Sequence, residues 1–200
     1  MVEDSKLFVV QTDERVYSPS EDSYLLLDSM KVGKGNYVLD MGTGTGIIAI
    51  TAASRGASKV VAIDINPFAC LCALKNVTSK GLESQISVLM GDLFSPLRRN
   101  AAFDVIVFNP PYLRTVESEY TSDWLEKAWA GGRNGRLIIN QFIDKMPTYL
   151  RSRGFVYLLL PSSGLSYIIK KLRQTRMSAS VIAKKKLFFE ELAVLLITHK

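Results

Sequence analysis

Histidine is almost missing from this chain: one residue, His199, among 200. That removes the usual general base of hydrolases and the commonest ligand of catalytic zinc. His199 itself reads as a solvent-exposed tail residue. Cysteine is nearly as scarce. Cys70 and Cys72 stand two apart in one helical stretch, with nothing to complete a zinc site, so no metal is expected and core cysteines in a reduced, cytoplasmic setting are. No apolar run approaches the roughly 18 residues of a membrane span. "FVYLLLP" and "LAVLLIT" have strand length only. Acids in "MVEDSKLFVVQTDER" break up any apolar centre of a secretory leader, so none is expected. No repeat, low-complexity tract or linker divides the chain, which implies one domain over residues 1–200.

Charge is present but mild. A net charge of +6 favours a negative partner such as nucleic acid, without demanding one. The local basic run Lys184-Lys185-Lys186 reads as a solvated strand end or turn.

The apolar pattern alternates between strand-length runs and helical stretches. "YSPSEDSYLLLDSM" opens a helix, with Ser18 as N-cap, Pro19 at the first helical position and Glu21 three residues after the cap. Strands are expected at 37–42, 59–65, 86–92 and over "FDVIVFN". Helices are expected over "IIAITAASRG", with Gly56 as C-cap, and from Pro67. An irregular section should reach about Asn134, followed by a helix over "GRLIINQFIDKMPTYLRSRG" bent near Pro147. "FVYLLLP" is then a strand and "GLSYIIKKLRQTR" a helix. "SVIAKKKLFF" and "ELAVLLITHK" are too close together to hold a helix between them, so they should pair antiparallel. The fold class is therefore α/β: a Rossmann-like, seven-stranded, mostly parallel sheet with a C-terminal antiparallel hairpin and helices on both faces.

Ligands of such sheets bind beyond the carboxyl ends of the strands, and polar residues cluster there. The first strand delivers Asp40-Met41-Gly42-Thr43-Gly44-Thr45-Gly46 into a helix. Glycines at such a turn let backbone approach a ligand, or serve packing alone. Ile47 stands where the nicotinamide fingerprint needs its last glycine, which leans away from a dinucleotide. Asp64 ends the second strand and can accept hydrogen bonds from both hydroxyls of a ribose. Asp92 ends the third and can accept from the exocyclic amine of adenine, with the N–H of Leu93 toward a ring nitrogen. Each acid alone is compatible with a helix cap, but acids at three successive strand ends point to an adenosine site.

The fourth strand runs into Asn109-Pro110-Pro111-Tyr112. Two prolines end the ladder, since neither has an N–H. The Asn109 side-chain carbonyl and the Pro110 backbone carbonyl then form two acceptors suited to one planar NH2 group. Tyr112 can lay its ring on the same group. A rigid polyproline turn is the bland alternative.

These residues resemble the class I S-adenosylmethionine-dependent methyltransferases, and more closely the HemK/PrmC glutamine methyltransferases. "YSPSEDSYLLLD" (17–28) and "AWAGGRNGR" (128–136) resemble the short archaeal and eukaryotic branch. That branch methylates the Gln of the Gly-Gly-Gln motif of class I translation termination factors. The resemblance implies S-adenosyl-L-methionine as cofactor. It places Ser23 and Asp40 by the methionine portion, with Gly42, Thr43, Gly44 and Gly46 in the glycine turn. It gives Asp64 to the ribose, and Asp92 and Leu93 to the adenine. Asn109 would touch cofactor and substrate amide, with Pro110, Pro111 and Tyr112 beside it. Aspartate at position 40 departs from the glutamate frequent there. Only some 35 residues precede the first core strand, too few for the N-terminal recognition domain of the bacterial members. Substrate recognition then falls to the loop 113–134, to surface charge or to a partner. In the short branch the partner is a small zinc-binding activator, expected here along an edge strand, Ile86–Asp92. Adenine-N6 or lysine methylation, and a non-catalytic RNA-binding scaffold, are the competing readings.

Overall fold

The computed structural model describes residues 9–113, 124–128, 130–132 and 134–200. Most of the section 113–134 therefore lies outside the described residues. The strands are β1 (Tyr37–Met41), β2 (Lys59–Asp64), β3 (Ile86–Met90), β4 (Phe103–Phe108), β5 (Leu150–Pro161), β6 (Met177–Lys186) and β7 (Glu191–His199). They form one sheet in the order β3-β2-β1-β4-β5-β7-β6. The first five are mutually parallel, and β7 runs antiparallel to both β5 and β6. The α-helices among the described residues are α1 (Glu21–Ser29), α2 (Ile47–Ser54), α3 (Pro67–Ser79), α4 (Trp124–Lys127), α5 (Leu137–Lys145) and α6 (Leu165–Gln174).

Strand alternation sends side chains to two cores. Val38, Val60, Val105, Val107 and Leu159 pack with α1, α2 and the end of α3 on one face. Leu39, Ile63, Ile106, Phe108 and Leu158 pack with α5 and α6 on the other. Phe142 anchors α5 there, its ring centroid 4.6 Å from Phe108 and 5.5 Å from Phe94. Truncating so fully buried an aromatic ring costs about 3–5 kcal/mol.

Three expectations need correction. The α1 cap is Ser20, not Ser18, because the Ser23 hydroxyl in the first turn accepts from the Ser20 N–H at 3.5 Å. Pro19 stays outside the helix. The helix before β5 ends at Lys145. Pro147 supplies no N–H, the chain tightens into a 3₁₀ turn over Met146–Thr148, and β5 starts at Leu150. Gly154 is therefore no helix end. It sits at an irregular register between β4 and β5, where a Cβ would come within 2.9 Å of the Asp104 carbonyl oxygen and 3.0 Å of that of Phe103. Finally, His199 belongs to β7, opposite Met177, with Nε2 3.3 Å from the Leu150 carbonyl oxygen.

Both cysteines sit in α3. Burial pushes the Cys70 thiol up to about 11, which makes it a poor nucleophile, and raises that of Cys72 as well. No helix among the described residues is long and apolar enough to cross a membrane.

Candidate active site

A cavity of about 550 Å³ opens at the carboxyl ends of β1, β2, β3 and β4, within the range of small-molecule sites. Its floor is the turn from β1 into α2. Gly42, Gly44 and Gly46 there have φ of +67°, +55° and +84°, a backbone region that side chains with a Cβ avoid. The Gly44 N–H donates to Asp64 Oδ2 at 2.9 Å, and the Asn66 N–H donates to Asp64 Oδ1 at 2.9 Å. Asp64 is thus clamped at the wall by two backbone donors. Desolvation still raises its carboxyl above the usual range. Asp92 and Leu93 line the next stretch, and Leu93 carries a left-handed backbone at φ +47°, uncommon for a γ-branched residue.

Ser23, Gly42, Thr43, Gly44, Asp64, Asp92, Leu93, Asn109, Pro110, Pro111 and Tyr112 all line this cavity. Two sequence candidates do not. Gly46 packs instead against α3, where a Cβ would lie 3.2 Å from Ala73. Asp40 is fully buried beneath α2; its Oδ2 accepts from Thr43 Oγ1 at 2.6 Å and from the Ala49 N–H at 3.1 Å. It ties the glycine turn to the helix it feeds. Burial dominates its titration and pushes its pKa up to about 7 against those two donors.

At the end of β4, Asn109 meets Asp22 of α1, a residue that the sequence reading left without a role. Asn109 Nδ2 donates to Asp22 Oδ2 at 2.9 Å. The orientation of the amide follows: its N–H2 is committed to a carboxylate, and Oδ1 is buried without a hydrogen-bond partner among the described residues. Asp22 is held in turn. Its Oδ1 accepts from the Ser23 N–H at 2.6 Å, and its Oδ2 lies 3.3 Å from the Tyr17 hydroxyl. Position alone pointed to it. Asp22, Ser23, Leu26 and Leu27 form the buried stripe of α1, and a carboxylate on an apolar stripe is unusual enough to need a partner.

Around this pair the site is acidic. Burial, with Asp22 next in effect, pushes the Tyr17 phenol up to about 12. Burial raises Tyr112 further, helped by the charges of Asp22 and Glu190. Glu190, from the loop between β6 and β7, is raised by burial and by Asp22.

Of the stretch "AWAGGRNGR", in which Trp129 and Arg133 lie outside the described residues, Gly131 and Gly135 pack against Pro111, Tyr112 and Leu113. The Gly131 N–H donates to the Leu113 carbonyl at 2.8 Å. A Cβ on Gly131 would fall 2.9 Å from the Pro111 carbonyl oxygen, and one on Gly135 would overlap that of Tyr112. Glycine is what lets the two segments touch.

A glycine turn, strand-end acids and an oriented amide on this sheet define a Rossmann-like class I methyltransferase site. The family model for the methyltransferase small domain matches residues 8–189. A Methanocaldococcus jannaschii protein named as a protein N5-glutamine methyltransferase is 41% identical over 181 residues, covering 90% of each chain. The human methyltransferase HEMK2 is 34% identical over 170 residues, covering 80% of this chain and 78% of the relative. The E. cuniculi Mtq2 structure, solved with Trm112 as the complex responsible for methylation of the eRF1 termination factor, superposes with a TM-score of 0.71 at 25% identity. That match covers 93% of this chain and 99% of the other. The chain belongs to the methyltransferase small-domain family, among its HemK-related members.

Proposed function

We propose that this protein methylates the side-chain amide nitrogen of the Gln in the Gly-Gly-Gln motif of a class I translation termination factor, using S-adenosyl-L-methionine. The observation that carries the reading is the fixed Asn109 amide, with Nδ2 on Asp22 and Oδ1 left as a buried acceptor at the cavity wall. That acceptor and the Pro110 carbonyl suit the two N–H donors of a primary amide.

The cavity suits the cofactor on three counts. Its volume matches a nucleoside-sized ligand, its glycine turn leaves room for close backbone approach, and Asp22, Asp64 and Asp92 suit a cationic, hydroxyl-bearing molecule. Asp64 would hold the ribose hydroxyls, Asp92 and Leu93 the adenine, and Ser23, Gly42, Thr43 and Gly44 the remainder. When bound, the cofactor supplies an electrophilic methyl carbon on a sulfonium. The protein's task is the nucleophile, because an amide nitrogen has its lone pair delocalised into the carbonyl. Accepting both N–H bonds at Asn109 and Pro110 orients that nitrogen and stabilises the positive charge it gains on alkylation. Alignment of this kind is worth about 7–11 kcal/mol. The alkylated amide nitrogen releases its proton to water readily, so no imidazole base is needed. Tyr112, half-buried in the cavity wall, would pack on the substrate.

A small partner fits the other end of the sheet. β3 is an edge strand, and Met90 at its end is 64% exposed beside Leu71 and Leu74 of α3, at 56% and 48%. An unpaired edge beside exposed apolar side chains suits strand addition by an activator subunit, zinc-binding by resemblance. Leu71→Asp with Met90→Asp should abolish co-purification of such a subunit; undiminished co-purification would count against this edge.

The direct test offers labelled S-adenosylmethionine with a termination factor, a DNA duplex and a histone-like peptide. Label is expected on the termination factor, with mass spectrometry placing one methyl on the glutamine. Label confined to DNA, or to lysine, would replace this reading with the adenine or lysine alternative.

A further inference from the structure

The loop between β6 and β7 presents Phe188 and Phe189, each 93% exposed, with ring centroids 4.7 Å apart in an edge-to-face pair. Two adjacent phenyl rings in water are costly, and such exposure on a well-held segment marks an interaction site. The segment is held. The Leu187 N–H donates to the Glu190 carbonyl at 2.7 Å, closing the turn, and Leu187 packs against the α1–α2 core. Just beyond, Glu191 Oε2 accepts from Lys184 Nζ and from Ser162 Oγ, both at 2.7 Å.

Topology places this tip at the cavity. Because β7 is antiparallel to β5, with Leu192 opposite Pro161, its start lies at the same edge of the sheet as the carboxyl end of β5. Lys185 Nζ lies 3.5 Å from Glu21 Oε1, which ties the hairpin to the turn of α1 that carries Asp22 and Ser23. Glu190, next to Phe189, is close enough for its charge to act on Tyr17 and Tyr112, and for that of Asp22 to act on it. The rings therefore stand at the edge of the sheet on which the cavity opens, tied to the helix turn that lines it.

We infer that Phe188 and Phe189 form a docking knob for the substrate polypeptide, seating an apolar patch of that protein beside the segment that carries the target glutamine. This rests on the functional reading above. A glutamine side chain can enter the cavity only if its own main chain runs across the rim, so the surface next to the rim must be covered by substrate. Clustered aromatics carry a large share of binding energy at such contacts, whereas none of residues 187–190 lines the cavity itself.

The experiment compares the wild-type chain with the double variant Phe188→Ser, Phe189→Ser, using a full-length class I termination factor. Expected is a fall of about tenfold or more in kcat/KM, carried by KM. S-adenosylhomocysteine affinity by calorimetry and the thermal midpoint should stay at wild-type values, since both rings are exposed. Equal kcat/KM in the two proteins overturns the docking role alone. If the wild type leaves the factor unmodified, the substrate reading falls and the docking role with it. A wild-type dimer that the double substitution turns into monomer would assign the rings to a contact between copies, and would also overturn the proposal.

Discussion

Asp22 and Asn109, 87 positions apart, meet at 2.9 Å between Oδ2 and Nδ2, and that contact fixes the Asn109 amide with Oδ1 buried and unpartnered among the described residues. Asp22 has two oxygens against two kinds of donor: the Ser23 N–H on Oδ1, and Asn109 Nδ2 on Oδ2. Asp22→Asn keeps the shape but has one acceptor for both. Either Ser23 loses its bond or an N–H2 group faces the N–H2 of Asn109. A donor left unsatisfied in a buried site costs about 1–3 kcal/mol, and the cheapest relief is for Asn109 to turn over and present nitrogen to the substrate. Methyl transfer should therefore drop by about 5- to 150-fold, chiefly in kcat. A pre-steady-state measurement on Asp22→Asn that returned wild-type turnover would remove the positioning role.

Loss of the acceptor itself should be worse. Asn109→Ala is expected to lower kcat by on the order of 10²–10³, comparable to removing one oxyanion-hole donor. Since the residue also lines the cofactor cavity, S-adenosylhomocysteine affinity should be read in parallel. A wild-type rate with weakened cofactor binding would restrict Asn109 to the cofactor.

Particular residues show how far the sequence could be read. Helix α3 was legible to the residue, because Pro67 has a fixed φ suited to a first helical turn and the Asn66 side chain accepts from the Phe68 N–H at 2.9 Å. The terminal hairpin followed from alternation and spacing, and the edge position of β3 from the strand order that the family resemblance implies. Less could be seen where a residue type serves two purposes. Gly154 looks like a helix stop, yet permits the irregular pairing of β4 with β5. Asp40 and Asp64 look alike as strand-end acids. Parity along the pleat turns Asp40 under α2, while Asp64 ends its strand at the cavity. The place of Asp22 on the buried stripe of α1 calls for a partner, but which one was hidden by distance, since Asn109 is on another element.

Replacing Gly135 should test the glycine contact with the Tyr112 backbone. Its φ of +64° already disfavours a side chain, and an added Cβ would overlap the Tyr112 carbonyl oxygen. Gly135→Ala should destabilise the protein by about 1–3 kcal/mol and displace Tyr112 from the cavity wall. Denaturant unfolding and activity should fall together; an unchanged unfolding midpoint would show that the loop yields without strain.

The buried Asp40 makes a prediction about pH. Its folded pKa, about 7, stands above the ordinary 3.8, so between those values the unfolded chain has released a proton that the folded protein keeps. Stability from this group is full below the ordinary carboxylate range. It declines as pH rises toward about 7 and is level above it. Asp64 and Glu190, also raised, add slopes of the same sign. The ligand-free protein should therefore lose thermal midpoint from about pH 4 to about pH 7 through these groups. Asp40→Asn, which cannot ionise, should show a shallower decline and a higher midpoint than wild type at neutral pH. Its oxygen can still serve Thr43 and Ala49 while its N–H2 takes the place of a buried oxygen without a partner among the described residues, so the slope is what decides: a decline as steep as that of the wild type would show that Asp40 is already ionised across this range.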